Sequence, residues 1–240
     1  MADDGSRLPM RGGPPESGPP ELAAPREPAF NAPWPALLIS AVILGLYTVQ
    51  SLAGDQDAIV TRYGFSPPEL GEGRYMGLIT ALFVHGGWTH AFLNALGALA
   101  FGAPVARLLR LDARGVGLFF LFYMCTGALS SLGFAFLHPD AAVLLVGASG
   151  AVSALMGAAS RLIDRRAANL NGGLAPFRNK TLISMALAWI VVNALAALVG
   201  FGVLTGDQPI AWEAHLFGYA AGLLLIAPVA RLVGPIGGRA

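Results

Sequence analysis

Long runs of apolar residues, separated by short charged segments, dominate the chain after residue 33. A bilayer core about 30 Å thick requires about 20 apolar residues of helix, and six stretches meet or approach that length. The pattern predicts six membrane-spanning helices, over residues 34–52, 78–109, 116–137, 141–162, 182–204 and 211–233. Inside these stretches the only Asp, Glu, Lys or Arg residues lie near the ends: Arg107, Arg161, Glu213 and Arg231. The sequence therefore predicts an all-α, polytopic membrane protein that forms a six-helix bundle.

Composition supports a lipid environment. Of the 240 residues, 55% are hydrophobic and only 12% are charged, whereas soluble domains carry about 25% charged residues. The net charge of +1 gives no reason to expect a nucleic-acid partner. A single cysteine, Cys125, excludes a disulfide framework and a cysteine-rich metal site. We therefore expect the lipid bilayer to be the main surroundings of the chain.

The first 33 residues differ in composition from the rest. They contain eight of the 17 prolines, together with glycine, serine and scattered charges, and they show no apolar periodicity. Such a segment cannot bury enough surface to offset its ordering entropy. The sequence predicts a disordered cytoplasmic tail over residues 1–33, a transmembrane domain over 34–233 and a short cytoplasmic C-terminus over 234–240.

The distribution of basic residues predicts the orientation. Thirteen of the 15 lysines and arginines flank the predicted spans on the side of both termini, and only Arg62 and Arg74 lie on the other side. Cytoplasmic loops carry the excess of Lys and Arg, so both termini are expected to be cytoplasmic. Fourteen arginines against one lysine, with abundant alanine and glycine, indicate a GC-rich bacterial gene and hence the inner (plasma) membrane.

Several polar side chains are predicted to lie at one depth near the outer surface. His85, His90 and Asn94 belong to the outer half of the second span, Ser149 lies near the start of the fourth, and His215 lies near the start of the sixth. His90 and Asn94 are four residues apart and therefore share a helical face. Three helices thus bring a hydroxyl, imidazoles and an amide to the non-cytoplasmic side.

The fourth helix is predicted to be short. Gly147 and Gly150 flank Ser149 and permit a sharp turn from loop to helix. From Ser149 to the end of the span is about 21 Å of helix, which is less than the hydrocarbon thickness. Irregular backbone at membrane depth must be walled in by protein or line a water-filled cavity. We therefore expect Ser149 to lie below the outer surface, at the floor of a water-accessible recess.

Small residues predict which helices pack closely. They recur at every fourth position in two stripes: Ser149, Ser153 and Gly157 on the fourth span, and Ala214, Gly218 and Gly222 on the sixth. Such stripes let helix backbones approach each other within membranes. Packing them together would bring His215 beside Ser149, and a serine hydroxyl next to a neutral imidazole can act as a nucleophile.

Other interpretations of these residues remain open. A serine on a membrane helix is often only a packing residue, whereas intramembrane ionisable groups tend to be functional. Three histidines could also form a zinc site, but no carboxylate or thiolate is expected nearby, because Cys125 lies in the middle of the third span. The sequence therefore predicts neither a metal nor a cofactor.

In order, spacing and membrane position, three motifs resemble those of the rhomboid intramembrane serine proteases: His85-Gly-Gly-Trp-Thr-His90-Ala-Phe-Leu-Asn94, Gly147-Ala-Ser149-Gly150 and Ala214-His215-Leu-Phe-Gly218-Tyr-Ala-Ala-Gly222. The resemblance covers residues 34–233 and implies a six-helix core. It implies that Ser149 is the nucleophile and His215 the general base. It also implies that His90 and Asn94 donate to the oxyanion together with the Ser149 backbone N–H. The resemblance also implies five supporting positions: His85, Gly147, Gly150, Gly218 and Gly222. Among these, Gly218 and Gly222 are expected to serve in helix packing.

The chain departs from the family pattern at two places. Many members have a tyrosine four residues after the serine, where its ring stacks on the base histidine, and this position is Ser153 here. The expected substitutes for that ring are Phe217, Tyr219 or a water molecule. Many members also have Trp-Arg in the first outer loop, where this chain has Met76-Gly77.

The resemblance implies an intramembrane serine endopeptidase that cleaves transmembrane segments of other membrane proteins. A Ser–His dyad is predicted rather than a triad, because an ionised carboxylate at membrane depth costs about 2.5–3.5 kcal/mol on insertion scales. Two alternatives remain. One is a non-catalytic rhomboid-like protein that binds membrane clients, and the other is a small transporter that uses the histidines as a proton relay. Transporters usually contain internal repeats, and none is visible in this sequence.

Overall fold

Eight α-helices make up most of the described chain in a computed structural model, which covers residues 32–164, 173–199 and 211–234. The predicted tail, apart from residues 32 and 33, and residues 235–240 lie outside the described residues. The helices are α1 Trp34–Leu52, α2 Gln56–Tyr63, α3 Gly77–Thr80, α4 Trp88–Leu109, α5 Ala113–Leu137, α6 Ser149–Ser160, α7 Lys180–Val199 and α8 Trp212–Leu232. Two 3₁₀ turns, Pro67–Leu70 and Ala81–Phe83, precede and follow α3.

Five of the described helices, α1, α4, α5, α7 and α8, are long and apolar enough to cross a membrane. In contrast, α6 has 12 residues, or about 18 Å of helix, which is less than the hydrocarbon thickness. The all-α, polytopic bundle predicted from the sequence is therefore confirmed. The predicted count of six complete spans is not confirmed, because α6 is too short to cross the bilayer alone.

The span predicted over residues 141–162 is helical only from Ser149, where the short helix was predicted to begin, because its first eight residues form a loop. In this loop Leu145 pairs with Phe65 in an antiparallel bridge, with N···O distances of 2.8 and 2.9 Å. Gly147 has φ +108°, a left-handed conformation that glycine adopts without steric cost. The loop backbone is thus bonded outside a helix, and the turn at Gly147 leads directly into α6 at Ser149.

The second and third predicted spans also begin at different residues. The span predicted over 78–109 is divided, because α4 begins only at Trp88 and α3 is a separate short helix. The third begins three residues before the predicted range 116–137, because Asp112 caps it by accepting the Gly115 N–H at 2.9 Å. Capping by aspartate satisfies one of the backbone donors that a helix leaves unbonded at its start.

The last two spans lie close to their predicted positions. The fifth helix, α7, begins two residues before the predicted range 182–204, and residues 200–204 lie outside the described part of the chain. The sixth, α8, is one residue shorter at each end than the predicted range 211–233.

Backbone contacts anchor the outer segment between α1 and α4, where the sequence lacks the Trp-Arg of the family it resembles. Gly77 packs on this segment so closely that a Cβ atom there would lie 2.7 Å from Gly64 O and 2.9 Å from Phe65 Cα. Phe65 is fully buried, and Thr80 Oγ1 donates to Tyr63 O at 2.7 Å. The glycine contact and the Thr80 bond join two parts of the segment, and the buried Phe65 ring, which clusters with Ala135 on α5, ties the segment to the bundle.

The core lies where α1, α4, α5, α6 and α8 meet. Its largest fully buried side chains include Tyr123 and Phe119 on α5 and Leu155 on α6. Several hydroxyl groups in this region bond inside the protein, where water is absent, although the buried Tyr123 hydroxyl has no partner among the described residues. Ser40 Oγ on α1, for example, lies 2.8 Å from Ala95 O on α4. These contacts hold the four helices around α6, which supplies Ser149.

The closest approach of two helices is between α6 and α8, and glycines make it possible. Gly218 on α8 lies against the Gly150 backbone, Gly222 lies against the Ala154 backbone, and Gly157 on α6 lies against Tyr219 O. Packing between these helices was expected from their small residues, and the structure agrees. On α8 the contact is made by the predicted Gly218 and Gly222, whereas on α6 the predicted Gly157 is joined by Gly150 and Ala154, which lie outside the predicted stripe.

We predict that Gly222→Ala destabilises the protein, because its new Cβ would collide with backbone atoms of Ala154 that cannot move unless α6 and α8 separate. Overpacking of this kind costs about 1–3 kcal/mol. Thermal unfolding in detergent is then expected at a Tm lower by about 2–12 °C for a chain of this size.

Gly45→Ala is the matched control, since Gly45 lies in α1 with nothing within 4 Å of the added Cβ. Alanine is favoured over glycine within a helix by about 0.5–1 kcal/mol, so this variant should keep or slightly raise the Tm. Equal Tm values for the two variants would contradict the close α6–α8 contact.

Candidate active site

The Ser149 side chain lies at the first turn of α6 and forms a hydrogen bond with His215 on α8. The distance between Ser149 Oγ and His215 Nε2 is 2.7 Å, within the normal range for such a bond. Both residues are half-buried, and so remain partly accessible at the end of the bundle. The structure therefore brings together the hydroxyl and the imidazole that the sequence places on two separate helices.

Contacts made by the residues next to Ser149 and His215 fix the position of α6 relative to α8. Gly150, next to Ser149, lies against Gly218 on α8 and against the Ser130 hydroxyl on α5. The Ser130 hydroxyl in turn donates to Ala214 O, next to His215, at 2.6 Å. The first turns of α6 and α8 are thus both tied to α5.

Asn193 on α7 bonds the second nitrogen of the imidazole. The distance between Asn193 Oδ1 and His215 Nδ1 is 2.9 Å. The expectation that Phe217 or Tyr219 holds the ring is wrong, because Phe217 packs over Gly133 on α5 instead. Phe217 and Tyr219 lie on α8 with His215, whereas the bonding partner comes from a different helix that faces the ring.

His90 and Asn94 lie beside the turn that leads to Ser149. A Cβ atom on Gly147 would lie 2.6 Å from two atoms of the His90 ring and 3.7 Å from Asn94 Nδ2. The absence of a side chain at Gly147 therefore lets both groups reach this turn. Asn94 is buried and its Nδ2 donates to His90 O at 3.0 Å, which leaves the second Nδ2 hydrogen for another acceptor.

His85 is buried beneath the same turn. Its Nε2 lies 3.4 Å from the Ala148 N–H, and its ring packs edge-on against His90 with 5.2 Å between ring centroids. Gln50 on α1 holds the His85 backbone from both sides, with Nε2 donating to His85 O at 2.8 Å and Oε1 accepting from His85 N at 3.0 Å. His85 therefore supports the loop rather than facing Ser149.

Sequence reasoning missed two amide side chains, Gln50 and Asn193. Both are buried in helices that are otherwise apolar. A polar residue is costly to bury inside a membrane and therefore points to a specific partner. The positions of the two amides within apolar helices were thus enough to predict that each has a bonding partner. Their partners, however, are 35 and 22 residues away along the chain, and only the folded structure identifies them.

The acidic residue nearest to His215 in sequence does not bond it. Glu213 Oε1 instead lies 3.1 Å from His138 Nε2 at the end of α5, where the two side chains form an ion pair when the histidine is protonated. Within residues 32–164, 173–199 and 211–234, no group of three or more His, Cys, Asp or Glu side chains is arranged to hold a metal ion.

Comparisons with known proteins agree with the resemblance carried by the three motifs. A family model described as the Rhomboid domain matches residues 72–232, more than half of the chain. Over 153 residues the chain is 28% identical to the protein named "Putative rhomboid protease YdcA" of Bacillus subtilis (strain 168). That alignment covers 64% of this chain and 66% of the relative, so it spans just under two thirds of the relative's length.

Proposed function

Because this chain belongs to the rhomboid family and is an integral membrane protein, we propose that it is an intramembrane serine endopeptidase. Ser149 is the nucleophile and His215 is the general base. The observation that carries the proposal is the 2.7 Å hydrogen bond between Ser149 Oγ and His215 Nε2. Neither a client-binding protein nor a transporter requires a serine hydroxyl bonded to an imidazole.

The proposed reaction is acyl transfer through the serine. Ser149 Oγ attacks the carbonyl carbon of the target peptide bond while its proton passes to His215 Nε2. His215 then returns that proton to the leaving amine, and the C–N bond breaks to give an acyl-enzyme. Water, deprotonated by the same imidazole, hydrolyses the ester and regenerates the hydroxyl. An imidazole with an ordinary pKa of about 6.5 is mostly neutral at pH 7 and can accept the first proton.

The proposed oxyanion donors are the Ser149 N–H, Asn94 Nδ2 and the His90 ring. An α-helix leaves its first N–H groups without intrahelical partners, and Ser149 is the first residue of α6. The remaining Asn94 Nδ2 hydrogen and the His90 ring lie at the adjacent Gly147 turn. Donors that are preorganised around a developing negative charge usually contribute the largest single part of the rate enhancement.

Substrates in this proposal are transmembrane segments of other membrane proteins. A peptide bond inside a helix is shielded and hydrogen-bonded, so the segment must enter from the bilayer and unwind locally. α7 buries little of its surface in the bundle, because only 11% of its apolar stretch is buried. This loose packing favours α7 as the side through which a substrate enters.

We predict that Ser149→Ala or His215→Ala abolishes cleavage, because each removes a group that takes part in proton transfer. His90→Ala or Asn94→Ala should lower kcat by about 10²–10³-fold, the usual effect of losing one oxyanion donor. The measurement is cleavage of candidate single-pass membrane proteins by the purified enzyme in liposomes, together with labelling by a fluorophosphonate probe.

Ser153→Ala is the matched control, since Ser153 lies one turn further along α6 and its hydroxyl bonds only within the helix, to Ser149 O at 2.7 Å. It should keep near-normal cleavage and labelling. Heat unfolding should abolish labelling of the wild type. Full activity in Ser149→Ala would refute the assignment, and an inert wild type would favour the client-binding or transporter alternative.

We predict that helix-weakening residues near the target bond increase the cleavage rate. Glycine and proline are less favourable than alanine inside a helix by about 1 and 3 kcal/mol, so they lower the cost of unwinding. Gly or Pro placed two residues from the cut site should raise kcat/KM relative to Ala at the same position. An equal rate for all three substrates would indicate that unwinding does not limit the reaction.

The proposed orientation places both termini in the cytoplasm of a bacterial cell and Ser149 near the outer face of the inner membrane. It is supported by the 13 basic residues on the side of the termini and by the positive-inside tendency. A fluorescent protein that folds only in the cytoplasm, fused after residue 240, should be bright. An active periplasmic reporter enzyme at the same position would reverse the orientation.

A further inference from the structure

The hydrogen bond from Asn193 gives His215 a second point of attachment. An imidazole bonded only to Ser149 could rotate about its side-chain torsions or exchange the proton between its two nitrogens. Proton transfer from Ser149 requires Nε2 to be unprotonated and directed at the hydroxyl. A second partner at Nδ1 can satisfy both requirements, as second hydrogen bonds to histidine generally do.

The orientation of the Asn193 amide follows from its own partner. One end of the amide lies 2.9 Å from Trp189 O, one turn earlier on α7. A backbone carbonyl can only accept a hydrogen bond, so the atom facing it is Nδ2. The oxygen Oδ1 therefore faces His215 Nδ1, at 2.9 Å.

The same reasoning fixes the state of the imidazole. An amide oxygen can only accept, so the ring nitrogen that faces Asn193 carries the hydrogen. In a neutral ring the other nitrogen, Nε2, is then the acceptor, and it lies 2.7 Å from Ser149 Oγ. The chain of bonds from Trp189 O through Asn193 and His215 to Ser149 thus selects the tautomer that can take the serine proton.

The burial of Asn193 supports a specific role. Most of α7 is exposed on the outside of the described bundle, with Val192 52% and Leu195 52% accessible, whereas Asn193 is 3% accessible. The Trp189 ring lies on the same side, with its centroid 6.3 Å from that of the His215 ring. Polar side chains buried in membrane helices are costly unless they are bonded, and both ends of this amide are bonded.

We propose that Asn193 is a positioning residue for His215. It accepts the Nδ1–H bond, holds the imidazole in the Nδ1–H tautomer and directs Nε2 at Ser149, without touching the substrate. The proposal rests on the proposed function in that it gives His215 the role of general base. The proposal gives α7 a direct influence on the proton transfer, although α7 supplies none of the residues that react or bind the oxyanion.

The test uses Asn193→Leu, a near-isosteric change that removes the acceptor, and Asn193→Ala, which removes it without adding bulk. Both residues are favourable in helices. Because the ring is no longer held in one tautomer, kcat should fall by about 10–100-fold while KM stays within about twofold of the wild type. Val192→Ala, an outward-facing change at the adjacent position, is the matched control and should keep the wild-type kcat and KM.

The deciding measurement is ¹⁵N NMR of the histidine rings at mildly alkaline pH, in protein labelled at histidine nitrogens. The His215 signals are assigned as those lost in His215→Ala. The wild type and Val192→Ala should show a protonated Nδ1 and an unprotonated Nε2. The two Asn193 variants should show signals shifted towards an average of both tautomers.

An Nε2–H tautomer in the wild type would overturn the proposal without any variant. So would an unchanged Nδ1–H tautomer, or a wild-type kcat, in both Asn193 variants. A purely structural role for Asn193 would lower the Tm or raise KM and leave the tautomer unchanged. Failure of the proposed function is distinguishable, because it appears as absent serine-dependent cleavage in the wild type, whereas the tautomer is read from the spectrum alone.

Discussion

The contact between α6 and α8 is the constraint on which the rest of the site depends. Glycines at 150, 157, 218 and 222 let the two backbones meet without intervening side chains. At this separation a short serine side chain on one helix reaches an imidazole on the other, at 2.7 Å. Any side chain that moved the helices apart by a few tenths of an ångström would lengthen a bond that proton transfer requires to be short.

The bilayer explains why many polar groups of the site bond within the protein. In hydrocarbon, water cannot take the place of a missing partner, and among the described residues the buried His85 Nδ1 and Trp189 Nε1 are the exceptions near Ser149. Gln50 holds the His85 backbone, His85 bonds the Ala148 N–H, and Asn193 bonds His215. These bonds satisfy buried groups and at the same time fix the positions of the side chains that are proposed to react. Stability and preorganisation therefore have the same physical origin here.

The helix α7 combines two properties that usually exclude each other. It is the least buried of the five long helices, yet Asn193 connects it directly to the imidazole. A loosely packed helix can move when another membrane segment enters the bundle, and movement would stretch the Asn193–His215 bond. In the proposed function, substrate entry and the orientation of the base are then linked through one amide side chain.

The sequence alone determined the class of fold, the close pairing of α6 with α8 and the elements that carry the site. These depend on local composition: apolar length predicts spans, small residues at every fourth position predict close packing, and flanking glycines predict the turn before Ser149. It also indicated that α6 would be short and begin at Ser149, whereas the bridge between Leu145 and Phe65 that holds the preceding loop is visible only in the folded structure. The proposed roles of Ser149, His215, His90 and Asn94 came from the resemblance of the three motifs, in residue order and spacing, to those of the rhomboid family.

Only the tertiary structure decided which side chains complete the site. On α6, Gly150 and Ala154 joined the predicted Gly157 in the contact with α8, because the exact rotation of two packed helices depends on all their neighbours, not on spacing within one helix. Gln50 and Asn193 looked like isolated amides in apolar helices, and their partners lie on other helices. A hydrogen bond between residues far apart in the chain leaves no periodic mark on the sequence, since it depends on the distance and direction that the completed bundle imposes.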